Sequence, residues 1–289
     1  MKICKLIVLL IALSFSTLAQ EQDLMGLLDS QQAEQTSYTT GTFKSVRLIN
    51  GYTSETAGKN DLVFSISHRF GNINGGAYEL FGLDHSTIRF GFEYGLGNRI
   101  SLGLGRSSHE KLYDSFIKLK ITQQSTGFSS FPLTITWLSG MAVKTLKWSN
   151  PELDYPFSSR LYYVHELFIA RKFNKAFSAQ LVPVILHRNM VQTAQDQNLV
   201  SAVGVGANYT LNKWLSFSGE YYYLLPGYTA DNFENSLSLG IEIESGGGHI
   251  FQINISNSQG MTEKIFIPET TGKWIDGDIA LGFNIIRVF

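Results

Sequence analysis

The residues able to carry chemistry are thinly spread, and their spacing indicates what they do. Arg69, Arg89, Glu93, Lys118, Lys120, Glu220, Glu242, Glu244 and the carboxamide of Asn284 recur at alternate positions among small or apolar neighbours. Period-two spacing places such residues on one face of a strand. Two kinds of chemistry follow. Charges of both signs, such as Arg89 and Glu93 on one segment, can pair and fill a narrow interior where an unpaired charge is costly. The same charges can instead ring a passage and select solutes by sign. The spacing leaves both open.

The histidines offer less. His68, His85, His109, His165 and His187 fall at or near one set of strand ends. His165-Glu166 and His187-Arg188 lie on consecutive segments, but no short ligand spacing such as HxxxH occurs. A metal needs several converging imidazoles or carboxylates with partners of their own, so neither a metal nor a cofactor is expected. Outer-membrane phospholipases, which are also barrels, set a serine two residues after the histidine on one strand. Here those positions hold Phe70, Thr87, Lys111, Leu167, Asn189 and, after His249, Phe251. No catalytic residue is assigned, although a triad drawn from different strands stays open. Gly246-Gly247-Gly248 reads as a turn and lacks the strand-then-helix setting of a phosphate loop.

The elements that position these residues are strands. From Asp61 onward the sequence alternates, with segments starting near 62, 88 and 100 and others at about 111–121, 131–141, 160–171, 177–188, 198–210, 214–224, 235–244, 249–257 and 277–289. Ile88, Phe90, Phe92, Leu237, Leu239, Ile241 and Phe283 fall on the apolar face and are the lipid-facing candidates. The segments at 160–171 and 177–188 are apolar on both faces in part, which leaves their facing unassigned. Most runs reach the roughly 9–11 residues of a membrane-spanning strand, beyond the roughly 5–6 of a soluble one. Connections alternate between tight and long, as in membrane barrels. His109–Glu110, short for an outer loop, and Thr122–Ser130, long for a turn, fit poorly. The expectation is all-β: a single closed antiparallel transmembrane barrel of about twelve strands over 61–289, with both termini periplasmic. Tyr94, Tyr209, Trp214 and Phe289 then mark the periplasmic rim, and Phe70, Tyr113 and Tyr223 the outer one.

Residues 1–19 read as a signal peptide: Lys2 and Lys5, an apolar Leu6–Leu13 core, and Thr17-Leu18-Ala19 for cleavage. The sole cysteine, Cys4, leaves with it, so disulfides and thiolate chemistry are excluded. Residues 20–60 are either a periplasmic leader or a plug inside the lumen, with one apolar helical turn at 23–29 and an extended piece at 42–50. The net charge of -1 and scattered basic residues exclude nucleic acid as a partner. Beyond the N-terminus, no apolar run approaches the roughly 20 residues of a spanning helix.

The last strand ends on Phe289, and a terminal aromatic resembles the signal read by the barrel-insertion machinery. TFKSVRLIN at 42–50, ISHRFG at 66–71, YELFGLD at 78–84, IRFGFEYGLGNRISLGLGRSS at 88–108, EKLYDSFIKLK at 110–120, VHELFIARKF at 164–173 and HRNMV at 187–191 resemble Bacteroidota-type outer-membrane β-barrels of uncharacterised function. The resemblance implies the fold and a Gram-negative outer membrane as the location, and brings no catalytic or ligand residues. Outer-membrane lipid and the insertion machinery are the partners it implies; a small solute or periplasmic partner stays unidentified. The function expected is a narrow channel or transporter. The alternatives are a docking scaffold acting through its long loops or leader, and, third, a lipid-active enzyme.

Overall fold

The computed structural model describes residues 35–230, 232–245 and 247–289. The expected signal peptide and the apolar turn at 23–29 lie outside the described residues. The strands are β1 (Ser37–Tyr38), β2 (Leu62–Asn72), β3 (Ser86–Gly97), β4 (Ile100–Ser107), β5 (Leu112–Thr122), β6 (Ser125–Thr126), β7 (Thr134–Lys144), β8 (Leu161–Lys172), β9 (Phe177–Arg188), β10 (Leu199–Thr210), β11 (Leu215–Leu224), β12 (Ser236–Ser245), β13 (His249–Ser256) and β14 (Ala280–Val288). One α-helical turn, α1, spans Glu263–Phe266.

Twelve strands, all but β1 and β6, form one closed antiparallel barrel, each paired with its neighbour in sequence. Closure brings β14 against β2, with Phe283 opposite His68 and Ile285 opposite Ile66. Phe289 extends this seam, exchanging backbone hydrogen bonds with Leu62 at 2.9 and 3.1 Å. A closed barrel satisfies every strand edge within itself, which hydrocarbon surroundings demand.

A second compact unit comprises residues 35–39 with Gln124–Pro132. In it β1 pairs with β6, Ser37 opposite Thr126 and Tyr38 opposite Ser125. This explains the segment too long for a turn: Thr122–Ser130 carries a strand of its own. It also explains why the strand expected at 131–141 begins at Thr134, since Phe131 is spent on a bridge to Ser125. At the end of the chain, β14 begins at Ala280 and not 277, because Gly277 sits in a turn at φ +75.

Burial alternates along the strands, as the period of two requires. In β3, Arg89, Gly91 and Glu93 point inward while Phe90, Phe92 and Tyr94 point outward. In β12, Leu239, Ile241 and Ile243 are outward and Ser238, Gly240 and Glu242 inward. Ile88, Leu237 and Phe283 lie on the outward faces, partly covered by their neighbours. Of the rim aromatics, Tyr94, Tyr209, Trp214, Phe289, Tyr113 and Tyr223 are exposed, whereas Phe70 is half-buried. β8 and β9 resolve too: Tyr162, Val164, Phe168, Val182, Val184 and Leu186 are buried inward, and Tyr163, His165, Leu181, Pro183 and Ile185 face out.

An arginine on the outward face of a membrane strand destabilises by roughly 2–4 kcal/mol near mid-bilayer. Leu239→Arg should therefore lower the unfolding free energy in liposomes by about that amount, while a denaturant titration of Leu239→Val stays near wild type.

Candidate functional site

The barrel interior is occupied from within the same chain. Residues Thr42–Gly58 enter it as a hairpin and not as a single extended piece: Arg47 bridges Tyr52, and Leu48 N–H bonds the Gly51 carbonyl at 2.8 Å. The turn is centred on Ile49 and Asn50, between Leu48 and Gly51. A Cβ on Gly51 would come within 2.0 Å of the Tyr222 hydroxyl, so only glycine fits there. Likewise a Cβ on Gly95 of β3 would meet the Gly58 carbonyl at 1.8 Å, where the hairpin's exit crosses the wall.

A hairpin in a lumen has no neighbouring strands to satisfy its backbone, so the wall's side chains must do so. The N–H groups of Ile49, Asn50 and Gly51 all donate to the Glu220 carboxylate, at 3.3, 2.7 and 3.0 Å. Gln252 and Asn284 donate to the carbonyls of Leu48 and Ile49, at 2.5 and 3.0 Å. Gln180 donates to the Tyr52 carbonyl at 2.8 Å and accepts from Ser54 N–H at 3.2 Å. Thr136 donates to the Ser54 carbonyl at 2.7 Å, and Lys118 to that of Glu55 at 2.7 Å. The Asn50 side chain donates to Ser238 at 3.0 Å and accepts from Arg69. These partners come from β2, β5, β7, β9, β11, β12, β13 and β14, eight of the twelve barrel strands. The cavities left between hairpin and wall are about 20 and about 10 Å³, water-sized at most.

The polar residues singled out by spacing divide into three groups. Arg89 forms a fork on Asp114 and also donates to the Tyr52 hydroxyl at 3.2 Å. Glu93 takes Lys118 at 3.3 Å, Ser101 at 2.6 Å and Ala57 N–H at 3.2 Å, while Lys120 reaches Glu55 of the hairpin at 3.1 Å. Among the described residues Glu220 and Glu242 form no ion pair: the first holds the hairpin turn, and the second accepts from Asn208, Ser218 and Gln252. Glu244, half exposed, pairs with Lys44 at 3.1 Å. Arg89 and Glu93, though on one strand, take different partners. Residues not singled out include Asp114, Gln180, Gln252 and Glu55. The first three share parity with the polar positions of their strands, the signal that could have found them.

A second segment fills the barrel at its other end. Between β13 and β14 the chain folds inward, burying Met261, Thr262, Ile265, Phe266 and Ile267. Phe266 packs edge-on to Tyr222 at 5.0 Å and joins the main apolar cluster with Phe116, Leu138, Val164, Phe168, Val182 and Val184. The two intrusions touch, since Arg47 reaches the Met261 carbonyl at 3.1 Å and Glu263 at 3.7 Å. Around the loop segment runs a chain of ion pairs: Lys144 and Lys264 on Glu110, Lys264 on Glu269 at 2.8 Å, and Arg188 on Glu269 at 3.2 Å and Asp196 at 3.9 Å.

Of the histidines, His165 lies on the outward face directly opposite Ser139 on β7. No hydrogen bond joins them among the described residues; the His165 ring instead stacks on Trp137 at 6.1 Å. His187 bonds Asn189 at 2.9 Å at the rim. No group of three metal-ligating side chains occurs among the described residues.

Fold and interior together define a membrane-embedded β-barrel whose lumen is filled by its own chain. The membrane bound beta barrel domain family (DUF5777) matches residues 43–289, hairpin included, and the chain belongs to that family. Solved structures with similar folds include the KdgM porin (8% identity, TM-score 0.46, covering 79% of this chain and 98% of that one). The COG4313 outer membrane channel from Pseudomonas putida F1 shares 11% identity at a TM-score of 0.41, covering 82% and 98%. LpxR from Salmonella typhimurium shares 10% at 0.34, covering 79% and 99%. No curated protein sequence matches the chain.

Replacing Glu220 with Ala strands three buried N–H groups, each worth about 1–3 kcal/mol when unsatisfied. Amide exchange over residues 46–53 should rise sharply in Glu220→Ala and only partly in Glu220→Gln; equal protection in all three proteins would refute the role. At the loop end, burial opposes the Glu110 charge, but Lys264 and the bond from Lys144 outweigh it and hold its carboxyl below the usual range. That stabilisation is complete above the ordinary carboxylate value and lost as pH falls through the lowered one. Exchange over residues 257–270 should thus accelerate only on acidification below the carboxylate range, and Glu110→Gln should remove that step.

Proposed function

We propose that this chain is an outer-membrane transport barrel for small polar solutes that rests closed, with residues 42–58 as a displaceable plug. The carrying observation is how the hairpin is held. Its backbone is bonded by Glu220, Gln252, Asn284, Gln180, Thr136 and Lys118, all groups that water can replace. A protein hydrogen bond exchanged for one to water changes free energy by only about 0.5–1.5 kcal/mol. The hairpin's apolar residues are divided among separate small clusters, Phe43 and Leu48 in one, Val46 and Ala57 in another. A twelve-stranded lumen is wider than side chains alone fill, so withdrawing the hairpin opens aqueous space. In this reading Arg69, Arg89, Glu93, Lys118, Lys120, Glu220, Glu242 and Glu244 anchor the plug when closed and line the passage when open.

The same proposal has residues 1–19 directing export and Phe289 serving the insertion machinery, with lipid against Phe90, Leu239 and Ile241. The exposed ring of Phe289 supports it, at the end of a strand whose backbone is already paired. A docking scaffold is favoured by one observation of its own. The stretch just before the hairpin, at Ser37–Tyr38, already pairs as a strand and offers a partner an edge.

Planar-bilayer conductance separates the two. The full chain should conduct rarely and briefly, and a chain lacking both residues 42–58 and the inward-folded residues 260–270 should give sustained stepwise currents. Silence from the shortened chain, with its β-structure intact by circular dichroism, would establish the scaffold and end the transport reading.

A further inference from the structure

At the loop end of the barrel lies a cavity of about 280 Å³, separate from the hairpin. Its lining is drawn from the end of β2 and from four loops: Asn72, His109 and Glu110, Gln192, Asn232 and Phe233, and the segment 257–272. That volume lies just below the roughly 300–1,000 Å³ typical of small-molecule sites. We infer that this vestibule binds a neutral polyhydroxylated solute, a sugar of one or two rings.

Three observations specify the ligand. First, the lining is dense in carboxamides with unused capacity. The side chains of Gln192 and Asn232 make no hydrogen bond to another described residue, and although Gln259 donates to Asn72 Oδ1 at 3.1 Å, the Asn72 amide hydrogens stay free. A carboxamide presents a donor and an acceptor side by side, matching the paired donor and acceptor character of neighbouring hydroxyls. Second, the cavity's charges are already spent. Glu110 is bound by Lys144 and Lys264, and Glu269 by Lys264 and Arg188, so neither an anion nor a cation gains an unpaired partner. Burial also holds the His109 imidazole below its usual range, leaving a neutral ring that both donates and accepts. Third, Phe233 gives the wall its one aromatic surface beside the apolar Ile265, suited to the C–H face of a sugar ring.

The inference concerns binding at the mouth and stands whether or not the lumen conducts. Calorimetry on the full chain in a non-glycosidic detergent, titrated with glucose, maltose, galacturonate and glucosamine, tests it. Glucose or maltose should bind with a millimolar Kd, more tightly than either charged sugar. Gln192→Ala and Asn232→Ala should each weaken that binding about three- to tenfold, the loss of one hydrogen bond, while Gln195→Ala on the same loop leaves it unchanged. No heat from either neutral sugar up to about 100 mM overturns the inference. So does a charged sugar binding as well as a neutral one, or neutral-sugar binding that Gln192→Ala and Asn232→Ala both leave intact. Conductance plays no part in this readout, so its failure and that of the transport proposal are told apart.

Discussion

The interior is organised around one demand: backbone placed inside a lumen must find hydrogen bonds without a sheet to supply them. The Glu220 carboxylate meets the sharpest part of that demand, where Ile49, Asn50 and Gly51 turn and their N–H groups point the same way. Only an acceptor-only group with several lone pairs can take three donors at once. The inward residues on the other strands follow from this arrangement. Gln252 and Asn284 donate where the hairpin offers carbonyls, and Gln180 does both where it offers one of each. The polarity of the lumen is thus set by the hairpin's backbone as much as by any solute.

The wall was largely legible in the sequence because a strand's period of two survives burial on one side. Twelve strands emerge from alternation alone, most within two residues of their observed ends. The failures have physical causes. β8 and β9 hid their facing because their inner surfaces are apolar as well, packed against Phe266, Ile267 and Tyr222 in place of water or ions. The hairpin escaped because its two arms meet in a single bridge between Arg47 and Tyr52, too short to generate a pattern. The loop segment 257–270 escaped for a related reason. Its burial is decided by the cavity it enters, and no local periodicity records that.

Charge pairing shows the same limit. Arg89 and Glu93 share a face of one strand, yet Arg89 pairs with Asp114 and Glu93 with Lys118, both on β5. β4 lies between, and its glycines clear the way: a Cβ on Gly105 would come within 2.3 Å of the Arg89 guanidinium and 2.6 Å of Asp114. Which partner is reached depends on the small residues of the intervening strand, so parity identifies the inward charges and leaves the pairings open.

The two intrusions are held by different forces, and that difference gives the barrel a direction. The loop segment places Phe266 and Ile267 in the main apolar cluster and is ringed by buried ion pairs. Removing it would expose apolar surface and break the Lys264–Glu110 and Glu269–Arg188 pairs that tie it to the wall, and breaking buried pairs is strongly destabilising. The hairpin contributes only Tyr52 to that cluster; it is held by hydrogen bonds that water can replace, by smaller apolar clusters at Phe43, Leu48, Val46 and Ala57, and by the Lys120–Glu55 and Arg47–Glu263 pairs. It is tethered at both ends, running from the small β1–β6 sheet before it into β2 after it. Under the transport proposal the hairpin is therefore the first of the two intrusions to yield, and the loop segment the second.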